Sequence, residues 1–239
     1  MTEQIDQLAK KISGLESSFL DLVREITTSP EFQGIHNAEF HEYRYALSLQ
    51  FLRENFADEP LTVFEVGEPG PFTEMLLRIF PRWSIHHQKE DLREGLFYED
   101  NFFDLIISTE VLEHIADSNI GHEITSQGVK DHLRDVYRIL NQNGKLFLTT
   151  PNASSIWCLK RILMQEPPLV YERHYREFSH NELAELVNES GLRVLSHHSK
   201  IVWNFWDFSD IENFMKGRNY DLNNRGDDQF LLASKSEIS

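Results

Sequence analysis

The sequence predicts a doubly wound α/β sheet, mostly parallel with an antiparallel last strand, preceded by helices at the N-terminus. Three observations lead to this fold class. Short apolar strands alternate with helical segments after residue 60. A turn rich in Gly and Pro directly follows the first of these strands, and a later strand ends in Glu110-x-x-Glu113-His114. A chain of 239 residues is long enough for one large α/β domain with its own core.

Residues 1–58 are predicted to form a helical extension of two helices, about 4–27 and 37–56. The first helix has apolar residues at alternating spacings of three and four: Ile5, Leu8, Ile12, Leu15, Phe19, Leu22 and Ile26. Such a stripe is typical of a homodimer seam, but also of a helix that braces its own domain. Both interpretations stay open. Thr27-Thr28-Ser29-Pro30 ends this helix.

Residues 59–239 are predicted to form one domain. The strands are expected at 61–66, 83–88, 105–109, 145–150, 192–203 and 229–234, and the helices at 72–80, 127–140, 179–191 and 209–217. A turn is expected at 141–144, and an irregular, lid-like segment at 153–178. Ser179 followed by Glu182 is a capping box that marks a helix start.

Charge and composition exclude several classes of protein. The formal net charge is −16 without a basic cluster to offset it, so no nucleic-acid partner is expected. No apolar run approaches the roughly 18 residues of a membrane span. The single cysteine, Cys158, and the polar N-terminus favour a cytoplasmic location.

The turn after the first predicted strand could bind a ligand. Glu65 ends the strand, and Gly67 and Gly70 would let the backbone approach a bound molecule. The following helix would present its N-terminal amides. A tight strand-to-helix turn that binds no ligand would contain the same residues. This motif alone therefore does not distinguish a binding loop from a structural turn.

Glu110, Glu113 and His114 stand at positions i, i+3 and i+4, which places them on one face if the segment is helical. Two carboxylates and an imidazole can hold a divalent metal. A neutral histidine could instead serve as a general base. A third interpretation is that Glu110 only contacts a bound ligand and that His114 only caps a helix or packs.

Longer motifs carry a resemblance to a known family. The stretch WSIHHQKEDLREGLFYEDNFFDLIISTEVLEHI, the later TTPN and the segment HYREFS resemble class I S-adenosylmethionine (SAM) dependent methyltransferases, which have a Rossmann-like fold. The resemblance implies SAM as cofactor and the following SAM-binding residues: Glu65, Gly67, Gly70, Glu90, Asp91, Leu92, Thr109 and Glu110. Gln88 is a weaker candidate for the ribose contact, and Asn152 could bond to substrate or to backbone.

A further resemblance concerns His174. In the methyltransferases that modify the terminal ribose of small RNAs, an E-x-x-E-H cluster and a later histidine bind a metal. By that resemblance, the four ligands here are Glu110, Glu113, His114 and His174. The RNA substrate itself does not fit the acidic charge of this chain.

The expected function is therefore SAM-dependent methylation of a hydroxyl on a sugar-like or other small molecule, with His114 as the catalytic residue. A divalent metal is a second, conditional cofactor. The alternative is a methyltransferase-fold protein that binds or scaffolds without catalysis. The irregular Gly67–Pro71 loop and the apolar stripe of the N-terminal helix support this interpretation. A nucleotide-dependent oxidoreductase would require a fuller Gly-rich fingerprint than this turn contains.

Overall fold

The computed structural model describes residues 14–32, 39–117 and 126–235. Within them the chain forms seven α-helices and a six-stranded sheet. The helices are α1 (Ser17–Thr27), α2 (Glu42–Asn55), α3 (Pro71–Ile79), α4 (Gln127–Ile139), α5 (Ile156–Leu163), α6 (His180–Glu189) and α7 (Ser209–Gly217). The strands are β1 (Thr62–Glu65), β2 (Ser84–His86), β3 (Phe103–Thr109), β4 (Leu140–Pro151), β5 (Leu192–Lys200) and β6 (Asp228–Lys235).

The strand order is β2-β1-β3-β4-β6-β5. Neighbouring strands from β2 to β4 are parallel, while β6 is antiparallel to both β4 and β5. This confirms the predicted doubly wound sheet with an antiparallel last strand. The chain moves outward from β1 to β2 and then returns to β3 on the other side of β1. That reversal makes the carboxyl ends of β1 and β3 the switch point where such sheets bind ligands.

Successive strand residues point to opposite faces, so each face of the sheet buries its own layer. Leu105, Phe147 and Phe230 lie in the core under α1, α2 and α3. Ile106 and Leu231 lie in the core under α4 and α6. Burial on both faces explains why the central strands read as nearly continuous apolar runs.

The described part of the N-terminal extension packs on the domain itself. Helix α1 buries Leu20, Val23 and Ile26 against α2 and α3. Helix α2 is buried on most sides, because it lies between α1 and the sheet. The predicted residues Ile5, Leu8 and Ile12 lie outside the described residues, so the homodimer seam stays a prediction. No helix in the described part is both long and apolar enough to cross a membrane.

Two predictions for the middle of the chain were wrong. Strand β4 begins at Leu140 and runs through the expected turn at 141–144, with a register shift opposite Phe103 and Leu105. Asn143 adopts a left-handed φ of 67°, and a Cβ on Gly144 would meet backbone oxygens at 3.0 Å. The segment is therefore a bulge inside a continuous strand.

The predicted irregular segment 153–178 contains helix α5, which begins where the Ser155 hydroxyl accepts a hydrogen bond from the Cys158 amide at 3.0 Å. After α5 the chain is irregular up to residue 178, as expected. The capping box of Ser179 and Glu182 at the start of α6 is confirmed.

Candidate functional site

The turn after β1 has the form expected of a ligand-binding loop. Glu65 is buried at the strand end and accepts a hydrogen bond from the Thr73 hydroxyl at 2.7 Å. Thr73 in turn accepts the Gly70 amide at 3.0 Å, which caps α3. Pro71 occupies the first position of α3, where a missing N–H costs nothing. The prolines therefore leave the strand–turn–helix geometry intact.

Space above this loop is open to a ligand. Gly67 has a φ of 112°, which is favourable for glycine alone, and a Cβ on Gly67 or Gly70 would meet no atom within 4 Å. Burial raises the pKa of Glu65 to about 7, although the Thr73 hydrogen bond opposes the shift. A buried carboxyl group beside helix N-terminal amides fits the amino-acid part of SAM, which carries both an ammonium and a carboxylate.

The loop after β2 contains the other predicted SAM contacts, and they differ in role. Leu92 lies with Val111 in the wall of a cavity of about 280 Å³ between this loop and the end of β3. Asp91 forms an ion pair with Arg93 at 2.5 Å in the wall of the same cavity. Glu90 is exposed and does not line it.

Gln88 has a structural role. Its amide donates to the Gly95 carbonyl at 2.9 Å, and its carbonyl accepts the Phe97 amide at 2.9 Å. These two hydrogen bonds hold the loop together.

The end of β3 bends sharply at Glu110, which has a left-handed φ of 57°. The residues Leu112–His114 then form a short 3-10 helix. Two adjacent threonines of β4 fix the two carboxyl groups. Thr149 donates to Glu110 Oε1 at 2.9 Å, and Thr150 donates to Glu113 Oε2 at 2.8 Å. Thr109, at the end of β3, pairs with Thr149.

Three of the four predicted metal ligands converge. Ligand atoms of Glu113, His114 and His174 all lie within 4.8 Å of one another, and the two imidazole centroids are 4.8 Å apart. Glu110 does not belong to this group, although it lines the adjacent cavity. The expectation that Glu110 shares a helical face with the others was wrong, because its positive φ places it before the helical turn.

The segment before α6 brings His174 into the cluster. The Tyr175 amide donates to the Glu113 carbonyl at 2.9 Å. The Nδ1 atom of His174 lies 2.7 Å from Glu177 Oε1, and that carboxyl group is buried. A carboxylate on Nδ1 fixes the tautomer and leaves Nε2 as the free acceptor atom. Glu177, which sequence reasoning missed, is therefore the residue that orients His174.

Burial shifts the pKa values of two residues in the cluster. Desolvation and the nearby Glu110 raise the pKa of Glu113 well above its usual value. Desolvation and the neighbouring His174 lower the pKa of His114. Both shifts favour the uncharged form of the side chain. The Oε1 atom of Glu113 is buried without a hydrogen-bond partner, which marks it as a free ligand atom.

A larger cavity of about 330 Å³ opens in front of the cluster. Its walls come from the chain before α2, α2 itself, the end of β3, the 170–174 segment and the loop after β5: Phe40, His41, Arg44, Tyr45, Glu110, Glu113, His114, Val170, Tyr171, His174 and Trp203. Glu110 and His114 line this cavity and also the cavity of Leu92. The two spaces therefore meet at the end of β3.

Asn152 does not face the cavity. It is fully buried, and its amide donates to the carbonyls of Asn224 and Gly226 at 3.0 and 2.8 Å. Of the two roles left open for it, the bond to backbone is the one observed.

Comparisons with known proteins agree with this geometry. A family model described as a methyltransferase domain matches residues 35–197, which is more than half of the chain. A comparison with curated proteins gives no match.

Three solved structures of similar fold are of proteins named as methyltransferases. A SAM-dependent methyltransferase from Archaeoglobus fulgidus has a TM-score of 0.56 at 15% identity, with 84% of this chain and 98% of that chain covered. A candidate sarcosine dimethylglycine methyltransferase from Galdieria sulphuraria has a TM-score of 0.54 at 17% identity, with 91% and 99% covered. A possible histamine N-methyltransferase from Thermotoga maritima has a TM-score of 0.53 at 15% identity, with 89% and 99% covered. The chain belongs to the methyltransferase-domain family, and it has the fold of SAM-dependent methyltransferases.

Proposed function

We propose that this protein transfers the methyl group of SAM to a hydroxyl group of a small, sugar-like or other ring-shaped molecule. One observation carries the proposal: Glu110 and His114 line both the cavity of Leu92 and the larger cavity in front of the cluster. SAM in the first cavity and an acceptor in the second would meet at Glu110 and His114, which line both cavities. The net charge of −16 argues against a nucleic-acid acceptor.

SAM supplies an electrophilic methyl group on a sulfonium ion. The chain would orient that group and the acceptor hydroxyl so that displacement occurs in line. Leu92 and Val111 fit the flat adenine, while Glu65 and the amides of α3 fit the amino-acid end. His114, neutral and directed at the shared region, would take the proton from the hydroxyl group.

A divalent metal is a second part of the proposal. One carboxylate and two imidazoles, from Glu113, His114 and His174, suit Mn²⁺, Fe²⁺ or Zn²⁺ better than Mg²⁺. Such an ion would supply Lewis acidity at a bound hydroxyl group. In that case His114 would be a ligand and not the base, so the two roles are alternatives.

The test begins with calorimetric titration of SAM and its product S-adenosylhomocysteine, followed by methyl transfer to hydroxylated probes with and without a chelator. His114→Gln should retain cofactor binding and reduce the transfer rate by roughly 100-fold or more. If chelation leaves transfer intact, His114 acts as a base; if transfer stops and Mn²⁺ restores it, the cluster binds metal. Absence of SAM binding at about millimolar concentration would refute the whole proposal.

The non-catalytic alternative was based on the irregular Gly67–Pro71 loop and on the apolar stripe of the N-terminal helix. The strand–turn–helix geometry of the loop favours the enzyme over this alternative, and the SAM titration distinguishes the two.

A further inference from the structure

The larger cavity contains a buried cation that forms no ion pair with the residues that the structure describes. Arg44 on α2 is only 4% exposed, and its Nη1 atom is buried without a hydrogen bond. Its Nε donates weakly to His41 Nδ1 at 3.4 Å, and its guanidinium lies 4.6 Å from the Tyr45 ring centroid. No carboxylate among the described residues forms an ion pair with it. An unpaired buried guanidinium is unfavourable and is usually matched by an anion.

Glu110, Glu113 and Asp228 are the acidic groups whose charges act on Arg44, but none of the three forms an ion pair with it. The buried Nη1 atom therefore keeps unpaired N–H donors at the wall of the cavity. A guanidinium presents paired donors that match a carboxylate.

The remaining walls are suited to a ring. Phe40 stacks on Trp203 with a centroid distance of 6.2 Å and an interplanar angle of 7°, and Tyr171 closes another side. The loop of Trp203 is held by Asp227, which accepts the amides of Val202 at 2.7 Å and Asn204 at 2.7 Å. A volume of about 330 Å³ admits a molecule of one ring with its substituents.

We propose that the methyl acceptor is a ring-shaped hydroxy acid whose carboxylate binds Arg44 while its hydroxyl group faces Glu113, His114 and His174. This inference rests on the proposed function and adds the chemical class of the acceptor. Arg44 lines the acceptor cavity and not the cavity of Leu92, so the acceptor, and not the carboxylate of SAM, is its assigned partner.

Four probes test the proposal in the presence of S-adenosylhomocysteine. Protocatechuate is compared with its amide, and glucuronate with glucose, by calorimetric titration. In the wild type, at least one acid should bind about tenfold or more tightly than its neutral counterpart. Arg44→Met should abolish that preference, and Arg44→Lys should retain part of it. Arg53→Met removes the same charge from an exposed position of the same helix and should change nothing.

Several results would overturn the proposal. One is equal binding of each acid and its neutral counterpart, or no binding of either acid at about 10 mM. Another is a preference that survives in Arg44→Met, with circular dichroism and thermal unfolding used to verify that the variant is folded. If Arg44→Met weakens S-adenosylhomocysteine but not methylthioadenosine, which lacks the amino-acid part, Arg44 binds the cofactor carboxylate instead. A wild type that does not bind S-adenosylhomocysteine would refute the proposed function itself.

Discussion

Glu65→Gln should stabilise the protein at alkaline pH while weakening SAM binding. The side chain of Glu65 is buried, and its pKa of about 7 lies above the 4.5 of an unperturbed glutamate. Between these two values the folded state binds more protons than the unfolded state. Stability therefore falls as pH rises through this window.

The magnitude follows from the shift. A difference of 7 − 4.5 = 2.5 units corresponds to about 3 kcal/mol at roughly 1.4 kcal/mol per unit. Glutamine can still accept the hydrogen bond of the Thr73 hydroxyl. The variant should therefore avoid the cost of ionising a buried carboxyl group and keep that hydrogen bond. It should be nearly as stable as the wild type at pH ~4.5 and up to about 3 kcal/mol more stable at pH ~8.

Urea unfolding at both pH values measures the difference, with SAM affinity measured in parallel. Glu68→Gln is the matched control, because it removes the same charge from an exposed position of the same loop. We expect no pH-dependent gain in that variant. A stability difference between Glu65→Gln and wild type that does not grow with pH would refute the reasoning, as would unchanged SAM binding.

Three further substitutions separate structural from functional roles. Thr150→Val removes the hydroxyl that donates to Glu113 Oε2 and should cost roughly 1–3 kcal/mol in urea unfolding. An unchanged midpoint would contradict the assigned contact. Asn152→Ala should cost about 2 kcal/mol or more, because its side chain loses three hydrogen bonds to backbone groups, with SAM affinity unchanged in the folded protein. Weaker SAM binding in folded protein would speak against a purely structural role. Glu177→Gln should reduce the affinity of a Mn²⁺ titration by roughly tenfold or more, since it replaces the carboxylate on His174 Nδ1; equal affinity would show that this contact does not serve a metal.

The sheet could be predicted because strands that are buried on both faces are short, nearly continuous apolar runs in the sequence. The 141–144 segment failed for a local reason. Asn and Gly are typical turn residues, but they are also residues that tolerate a bulge. Pairing of β3 with β4 on both sides of the segment, at Leu140 and at Lys145, makes it a bulge here. The sequence does contain a signal for helix α5, since Ser155 is an N-cap residue before an apolar cluster. The two prolines after the helix, Pro167 and Pro168, favoured an irregular segment instead.

The candidate site was predictable only where sequence neighbours are also neighbours in space. Glu113 and His114 are adjacent in the chain, and the resemblance supplied His174. Arg44 and Glu177 gave no comparable signal. An arginine on a helix and a glutamate in a charged loop are usually solvated, and tertiary packing alone makes these two buried.

The buried charged groups of the described site would suit ligands of both charges. The carboxyl groups would suit a positively charged ligand, and Arg44 would suit a negatively charged one. The carboxyl groups of Glu110, Glu113 and Asp228 are forced towards their neutral forms by burial, although each would regain its charge beside a cation. Arg44 stays charged whatever surrounds it. Burial of these groups is unfavourable without ligands, and the apolar cores on the two faces of the sheet offset that cost. In the proposed complex, a sulfonium ion beside Glu110 and a carboxylate on Arg44 would each replace lost hydration with an opposite charge.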